Sequence, residues 1–162
     1  MRSGDEMKPA LKWLAAAGVL ALPLSAHALL ATCTVATTGI VFPAYASPGS
    51  TNSDSTGDIA VTCSALVLGL GSYTISVSTG AGTYANRKLT SGANFLNYNM
   101  FTDAARSIVW GDGTASTQTV SDSYVILVAP TTRHYTSYGR VPGSQNKPAG
   151  TYTDTVTVTV TY

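Results

Sequence analysis

The last ten residues, Thr153-Asp154-Thr155-Val156-Thr157-Val158-Thr159-Val160-Thr161-Tyr162, alternate without a slip. A period of two marks a strand with one dry and one wet face, so Val156, Val158, Val160 and Tyr162 are expected to share one side and the threonines the other. The same alternation puts Ile59, Val61, Cys63 and Ala65 against Ala60, Thr62 and Ser64, and Tyr73, Ile75 and Val77 against Thr74, Ser76 and Ser78. Both segments read as strands wetted on one side. Further strands are expected at 96–101, 106–110 and 123–129, separated by loops rich in Gly, Ser, Asn and Pro, of which 47–56 and 142–150 are the longest. Gly111-Asp112-Gly113 supplies residues that tolerate positive φ and reads as a tight turn, with Asp112 a turn residue and not a catalyst.

The first strand carries a defect. Cys33 and Val35 lie on one parity, Ile40 and Phe42 on the other, so a bulge or break near Thr38-Gly39 is required if all four face the core. No amphipathic helix of useful length follows residue 28. Short alternating strands with frequent turns predict an all-β, immunoglobulin-like Greek-key sandwich.

Composition changes the picture at the N-terminus. Arg2, Lys8 and Lys12 precede an apolar run at 13–24 and then Ala26-His27-Ala28, which together read as a secretory signal peptide over 1–28. A run of about 12 residues is short of the roughly 20 needed to span a bilayer, so no membrane span is expected after cleavage. The expected mature domain, 29–162, holds six basic residues, six Asp and no Glu. Its surface must be solvated by hydroxyls, and Ser and Thr supply 39 of its residues. A formal charge of +1 for the whole chain offers no field to attract nucleic acid, while 44% hydrophobic residues exclude a disordered chain.

Export would deliver Cys33 and Cys63 to an oxidising compartment, where they are the one possible pair; two free buried thiols are the alternative. Chemistry is otherwise sparse. His134 is the one histidine after residue 28, too few for a usual zinc site. The segment 52–58 faintly suggests a calcium loop but lacks the closing acid, and reads as a polar turn. No nucleophile elbow, Walker loop or complete dinucleotide fingerprint is present, so no catalytic residue, metal or cofactor is expected.

Several segments resemble a known family. Ala31-Thr32-Cys33-Thr34-Val35 leading to Gly39-Ile40-Val41-Phe42, and Gly57-Asp58-Ile59-Ala60-Val61-Thr62-Cys63-Ser64, are similar to the spore coat protein U domain, the fold of subunits in archaic chaperone-usher pili. Leu96-Asn97-Tyr98-Asn99-Met100-Phe101-Thr102-Asp103-Ala104-Ala105-Arg106, followed by Trp110-Gly111-Asp112-Gly113-Thr114, resembles that family's L-N-Y-x-L-Y-x-D…W-G-D-G-T motif. The end, Ala149-Gly150-Thr151-Tyr152-Thr153-Asp154 with its alternating Val and Thr, resembles the family's last strand. Pro43 stands where the family usually has Gly and removes a backbone donor just after Phe42.

The resemblance implies a mechanical role: a structural or adhesive subunit of an extracellular pilus. Such subunits are sandwiches lacking the final strand; a periplasmic chaperone fills the groove first, and a neighbouring subunit's extension replaces it at an outer-membrane usher. The groove residues expected here are Ile40 and Phe42 on the first strand and Val156, Val158 and Val160 on the last. Cleavage after Ala28 would leave four residues before Cys33, too few to fill a groove of about five to six residues, so a terminal or coat position is expected rather than the repeating shaft. The alternative is a secreted monomeric coat or lectin-like domain that uses Tyr84, Tyr135, Tyr138 and Trp110 to meet sugars.

Overall fold

A computed structural model describes residues 31–45, 51–65, 69–126 and 129–162. The signal peptide expected over 1–28 lies outside the described residues, as do 127–128 of the strand expected at 123–129. Eight strands form among the described residues: β1 Ala31–Thr38, β2 Ser53–Ala65, β3 Gly69–Val77, β4 Arg87–Ser91, β5 Asn94–Phe101, β6 Val120–Ile126, β7 Thr131–Val141 and β8 Val158–Thr161. All pairings are antiparallel, in a five-stranded sheet of order β1-β2-β7-β5-β4 and a three-stranded sheet of order β6-β3-β8. This is the immunoglobulin-like all-β sandwich that the strand pattern predicts.

Alternation delivers the core. Ile59, Val61, Cys63 and Ala65 of β2 meet Tyr73, Ile75 and Val77 of β3 around a fully buried Trp110. Leu89, Leu96, Tyr98, Met100 and Val141 form a second cluster, and Val156 packs against both. Cys33 lies directly opposite Cys63 in the β1–β2 register and is bonded to it, so the disulfide ties an edge strand to its only described neighbour.

Two expectations fail, and one strand was not foreseen. Residues 106–110 make no strand: the Asp103 carboxylate accepts bonds from the Ser107 and Ile108 amides (3.0 and 2.8 Å) and Arg106 takes φ 58°, which curls the chain into a loop. The segment 52–58, read as a polar turn, instead enters β2 at Ser53 and pairs with the C-terminal half of β7, from Ser53↔Val141 to Asp58↔Thr136. That partner, β7, is a strand the apolar pattern did not reveal. Its inward positions include Ser137 and Gly139, too small to register as a hydrophobic stripe.

Candidate functional site

Gly57 on β2 and Gly139 on β7 both face inward and are buried. A Cβ on Gly139 would lie 2.7 Å from the end of the Phe42 ring and 2.8 Å from Ile40 Cγ2; one on Gly57 would lie 2.6 Å from the Thr38 carbonyl oxygen. The two glycines thus make a seat. β1 stops at Thr38, as the parity change requires, and residues 39–42 cross over that seat, with Ile40 and Phe42 turned inward. Phe42 meets Tyr98 edge to face, ring centroids 6.1 Å apart.

Opposite this crossing runs the end of the chain. Thr153 exchanges two backbone bonds with Thr90 of β4 (2.7 and 3.0 Å), Thr157 bonds to Ser78, and β8 then pairs with β3. Residues 150–162 therefore pass from the large sheet to the small one. Between the two crossings lies a groove of about 270 Å³, with residues 37–40 and Phe42 on one wall and residues 154–156 and Val158 on the other. Its floor is Ile59, Leu89, Tyr98, Met100 and Ser137. A second hollow of about 360 Å³ continues past Phe42 and Leu89 to the Tyr45–Gly150 bridge. Within the described residues, 39–44 and 154–156 make no backbone-to-backbone hydrogen bond, and both β1 and β8 have a neighbour on one side alone. Two open edges face one another across an apolar floor.

Of the five residues expected to line a groove, Ile40, Phe42, Val156 and Val158 surround this one. Val160 faces the same way along β8 and packs on the core beyond its end, half-buried opposite Ile75.

The polar residues of the central motif hold the frame around the groove. Arg87, fully buried, donates to the Ser78 carbonyl (2.9 and 3.2 Å), the Trp110 carbonyl (2.7 Å) and Asn99 Oδ1 (2.6 Å); burial pulls its guanidinium pKa down. Asn99 also bonds the Tyr84 carbonyl through its amide nitrogen. Asp154 accepts from the Tyr98 hydroxyl (2.7 Å) and the Ala81 amide (2.9 Å), which pins the groove wall to the loop after β3; burial and that carboxylate push the Tyr98 phenol up. Asp112 accepts from the Thr114 amide and hydroxyl (2.9 and 2.6 Å) in the expected turn, with Gly113 at φ 88°. Each of these side chains grips backbone or a neighbouring side chain of the frame, which is a structural pattern.

A family model for the Spore Coat Protein U domain matches residues 19–159. The chain belongs to that family. A curated relative, Protein U of Myxococcus xanthus, is 33% identical over 112 residues, 66% of this chain and 59% of the relative. The chain thus spans less than two thirds of that protein's length. Among solved structures, a chain of the CsuC-CsuE chaperone-tip adhesion subunit pre-assembly complex from the archaic chaperone-usher Csu pili of Acinetobacter baumannii matches with TM-score 0.54 and 21% identity. That match covers 82% of this chain and 40% of the other. Membership makes this Spore Coat Protein U domain a structural protein and not an enzyme.

Of the four residues in the sugar-binding reading, three are engaged within the fold, and Tyr138 is half-buried with the Arg106 guanidinium 5.8 Å from its ring centroid. Trp110 is 0% exposed and its indole donates to the Ile75 carbonyl, so it belongs to the core. Tyr135 is committed to Tyr73 and Asp122, and Tyr84 to the Val77 carbonyl. His134 is exposed and paired with Asp58 at 2.8 Å across β2 and β7. No group of three or more His, Cys, Asp and Glu gathers among the described residues. Nor is any described helix long and apolar enough to cross a membrane. What the sequence reading missed is the pair of glycines; two inward glycines at 57 and 139 are the signal that another segment lies close over the sheet.

Proposed function

We propose that this Spore Coat Protein U domain is a structural or adhesive subunit of an extracellular pilus, assembled by the chaperone-usher route through donor-strand complementation. The observation that carries the reading is the groove: an apolar floor between two segments whose backbones pair with nothing across it. A strand laid there would bury Ile40, Phe42, Val156 and Val158 and pair with open backbone, the mode of recognition known as strand addition. The fold shared with a chain of a chaperone-tip adhesion subunit complex supports the same partners: a periplasmic chaperone first, then a neighbouring subunit at an outer-membrane usher. Export to the periplasm and display on the cell surface follow from this route. If export leaves Leu29 as the first residue, the subunit has little to donate and belongs at a fibre end or in a coat; sequencing the secreted protein's N-terminus tests that point.

The deciding experiment compares thermal unfolding of the secreted protein alone with the same protein carrying a partner's donor strand fused through a flexible linker after Tyr162. A large rise in midpoint, or recovery of soluble monomer from aggregate, is expected. An unchanged, high midpoint would mean that the sandwich is already closed and works as a monomeric coat domain.

A further inference from the structure

On the groove floor the Tyr98 hydroxyl is bonded to Asp154, whereas a second polar group, Ser137, is not engaged. Ser137 is 3% exposed and lines the groove among Ile59, Met100, Val156 and Val158, and its hydroxyl has no hydrogen-bond partner among the described residues. Gly57 lies directly opposite in the β2–β7 register, and a Cβ there would come within 2.9 Å of Ser137 Oγ, so the glycine leaves the hydroxyl uncovered on that side. No fully buried side-chain oxygen among the described residues lacks a partner, so this oxygen keeps a little exposure, and the groove that Ser137 lines is where water would meet it. An incoming strand that expels the water leaves the hydroxyl buried and unpaired unless it brings its own partner.

Resting on the strand-accepting reading above, we infer that Ser137 sets the register of the incoming strand. It does so by requiring a hydrogen-bonding side chain, a hydroxyl or carboxamide, at the one inward position that passes over it, with apolar residues at the inward positions on either side. Side chains along a strand alternate faces, so a slip of one residue turns the apolar set outward, and a slip of two carries the polar group onto Met100, Val156 or Ile59. Both errors leave a polar group unpaired. The open edges supply affinity for any extended backbone, whereas Ser137 rejects a strand that is apolar throughout, so selectivity comes partly from a penalty on the wrong partner.

The test uses the full chain and a set of extended peptides with five inward positions and polar outward ones. One peptide has valine at all five; five others replace a single valine by threonine, which has nearly the same shape. Binding is read by fluorescence anisotropy. One threonine peptide is expected to bind about tenfold tighter than the all-valine peptide and the other four more weakly than it. With Ser137→Ala the preference is expected to vanish, leaving all-valine tightest. If the all-valine peptide binds the unaltered chain as tightly as every threonine peptide, Ser137 does not set register although the groove accepts strands. If none of the six binds, the strand-accepting reading itself fails, and this inference with it.

Discussion

Placing alanine on the glycine seat tests whether residues 39–42 are held where the groove needs them. At Gly57 the new methyl would sit 2.6 Å from the Thr38 carbonyl oxygen, against an ordinary approach of 3.4 Å or more, so the two must part by about 0.8 Å. That oxygen is backbone at the end of β1, where Thr38 pairs with Asp58, and it cannot rotate away. Overpacking of this kind costs about 1–3 kcal/mol, and an immovable neighbour belongs near the top of that range. Fewer unfolded conformations return about 0.4–1 kcal/mol for any Gly→Ala change, and neither seat glycine has positive φ to add strain. Gly57→Ala should therefore lose about 2 kcal/mol. Gly139→Ala meets side-chain ends, Phe42 Cζ at 2.7 Å and Ile40 Cγ2 at 2.8 Å, which can swing toward the open groove, so its net loss should be about 0–1 kcal/mol. Gly150 has no atom within 4 Å of its added methyl, and Gly150→Ala should be stabilising by about 0.4–1 kcal/mol.

The assay is equilibrium urea unfolding of the four proteins with a shared slope, so that midpoint differences read as stability. The spread of about 3 kcal/mol is large against a total of about 5–15 kcal/mol. The order Gly150→Ala, unaltered chain, Gly139→Ala, Gly57→Ala is the result the seat demands. A Gly57→Ala protein as stable as Gly150→Ala would refute it, because the chain leaving β1 at Thr38 would then not be held close over that glycine.

Three other perturbations follow. Removing the Cys33–Cys63 bond, which closes a separation of 30 residues, should cost about 3–4 kcal/mol; a Cys33→Ala/Cys63→Ala protein should unfold at lower urea and lose all sensitivity to reductant. Hydrogen bonds from Arg140 to Asp54, Tyr135 to Asp122, the Ile108 amide to Asp103 and the Thr114 hydroxyl to Asp112 each hold a carboxyl below its ordinary range. A depressed folded pKa gives stability that is present above the unfolded value of about 3.9 and lost as pH falls through the folded one, so the urea midpoint should stay level from about pH 5 upward and drop below about pH 4; Asp54→Asn should make that acid limb shallower. Arg87→Met strips partners from the Ser78 and Trp110 carbonyls and Asn99, and should cost about 3 kcal/mol or more by the same urea assay; Arg87→Lys should not restore it, because an ammonium cannot span the acceptors a guanidinium fork reaches.

Legibility in the sequence followed how each strand fills its inner face. β2 past Gly57, β3 and β5 bury their own large side chains, and their alternation announced them. β7 before Val141 and the start of β2 show less of it, because Ser55 and Ser137 are small and Gly57 and Gly139 carry the side chains of residues 40 and 42 in place of their own, leaving little hydrophobic period to read. β4 was hidden by Arg87, a buried cation at an inward position. The expected strand at 106–110 came from Ile108, Val109 and Trp110, yet Ile108 is 36% exposed and Asp103 determines the loop. Four of the five groove residues were legible because Ile40, Phe42, Val156 and Val158 are themselves large; Ser137 and the glycines beneath them were not.

The polar residues of the central motif and the small residues of the groove have different structural tasks. The motif around Asn99, Asp103, Trp110 and Asp112 ties loops and strands of the frame together, and none of those four residues lines the groove. The groove depends instead on small inward residues, a break after Thr38 and the crossing at 154–156. Substitutions there can change the length, depth or polar position of the groove while leaving the frame motif whole. On the strand-accepting reading proposed above, two chains matched by that motif would then accept different strands. If the groove accepts a strand as proposed, the residues over and beside Gly57, Ser137 and Gly139 are where exchanging a hydroxyl for a methyl would alter which strand fits without altering the fold.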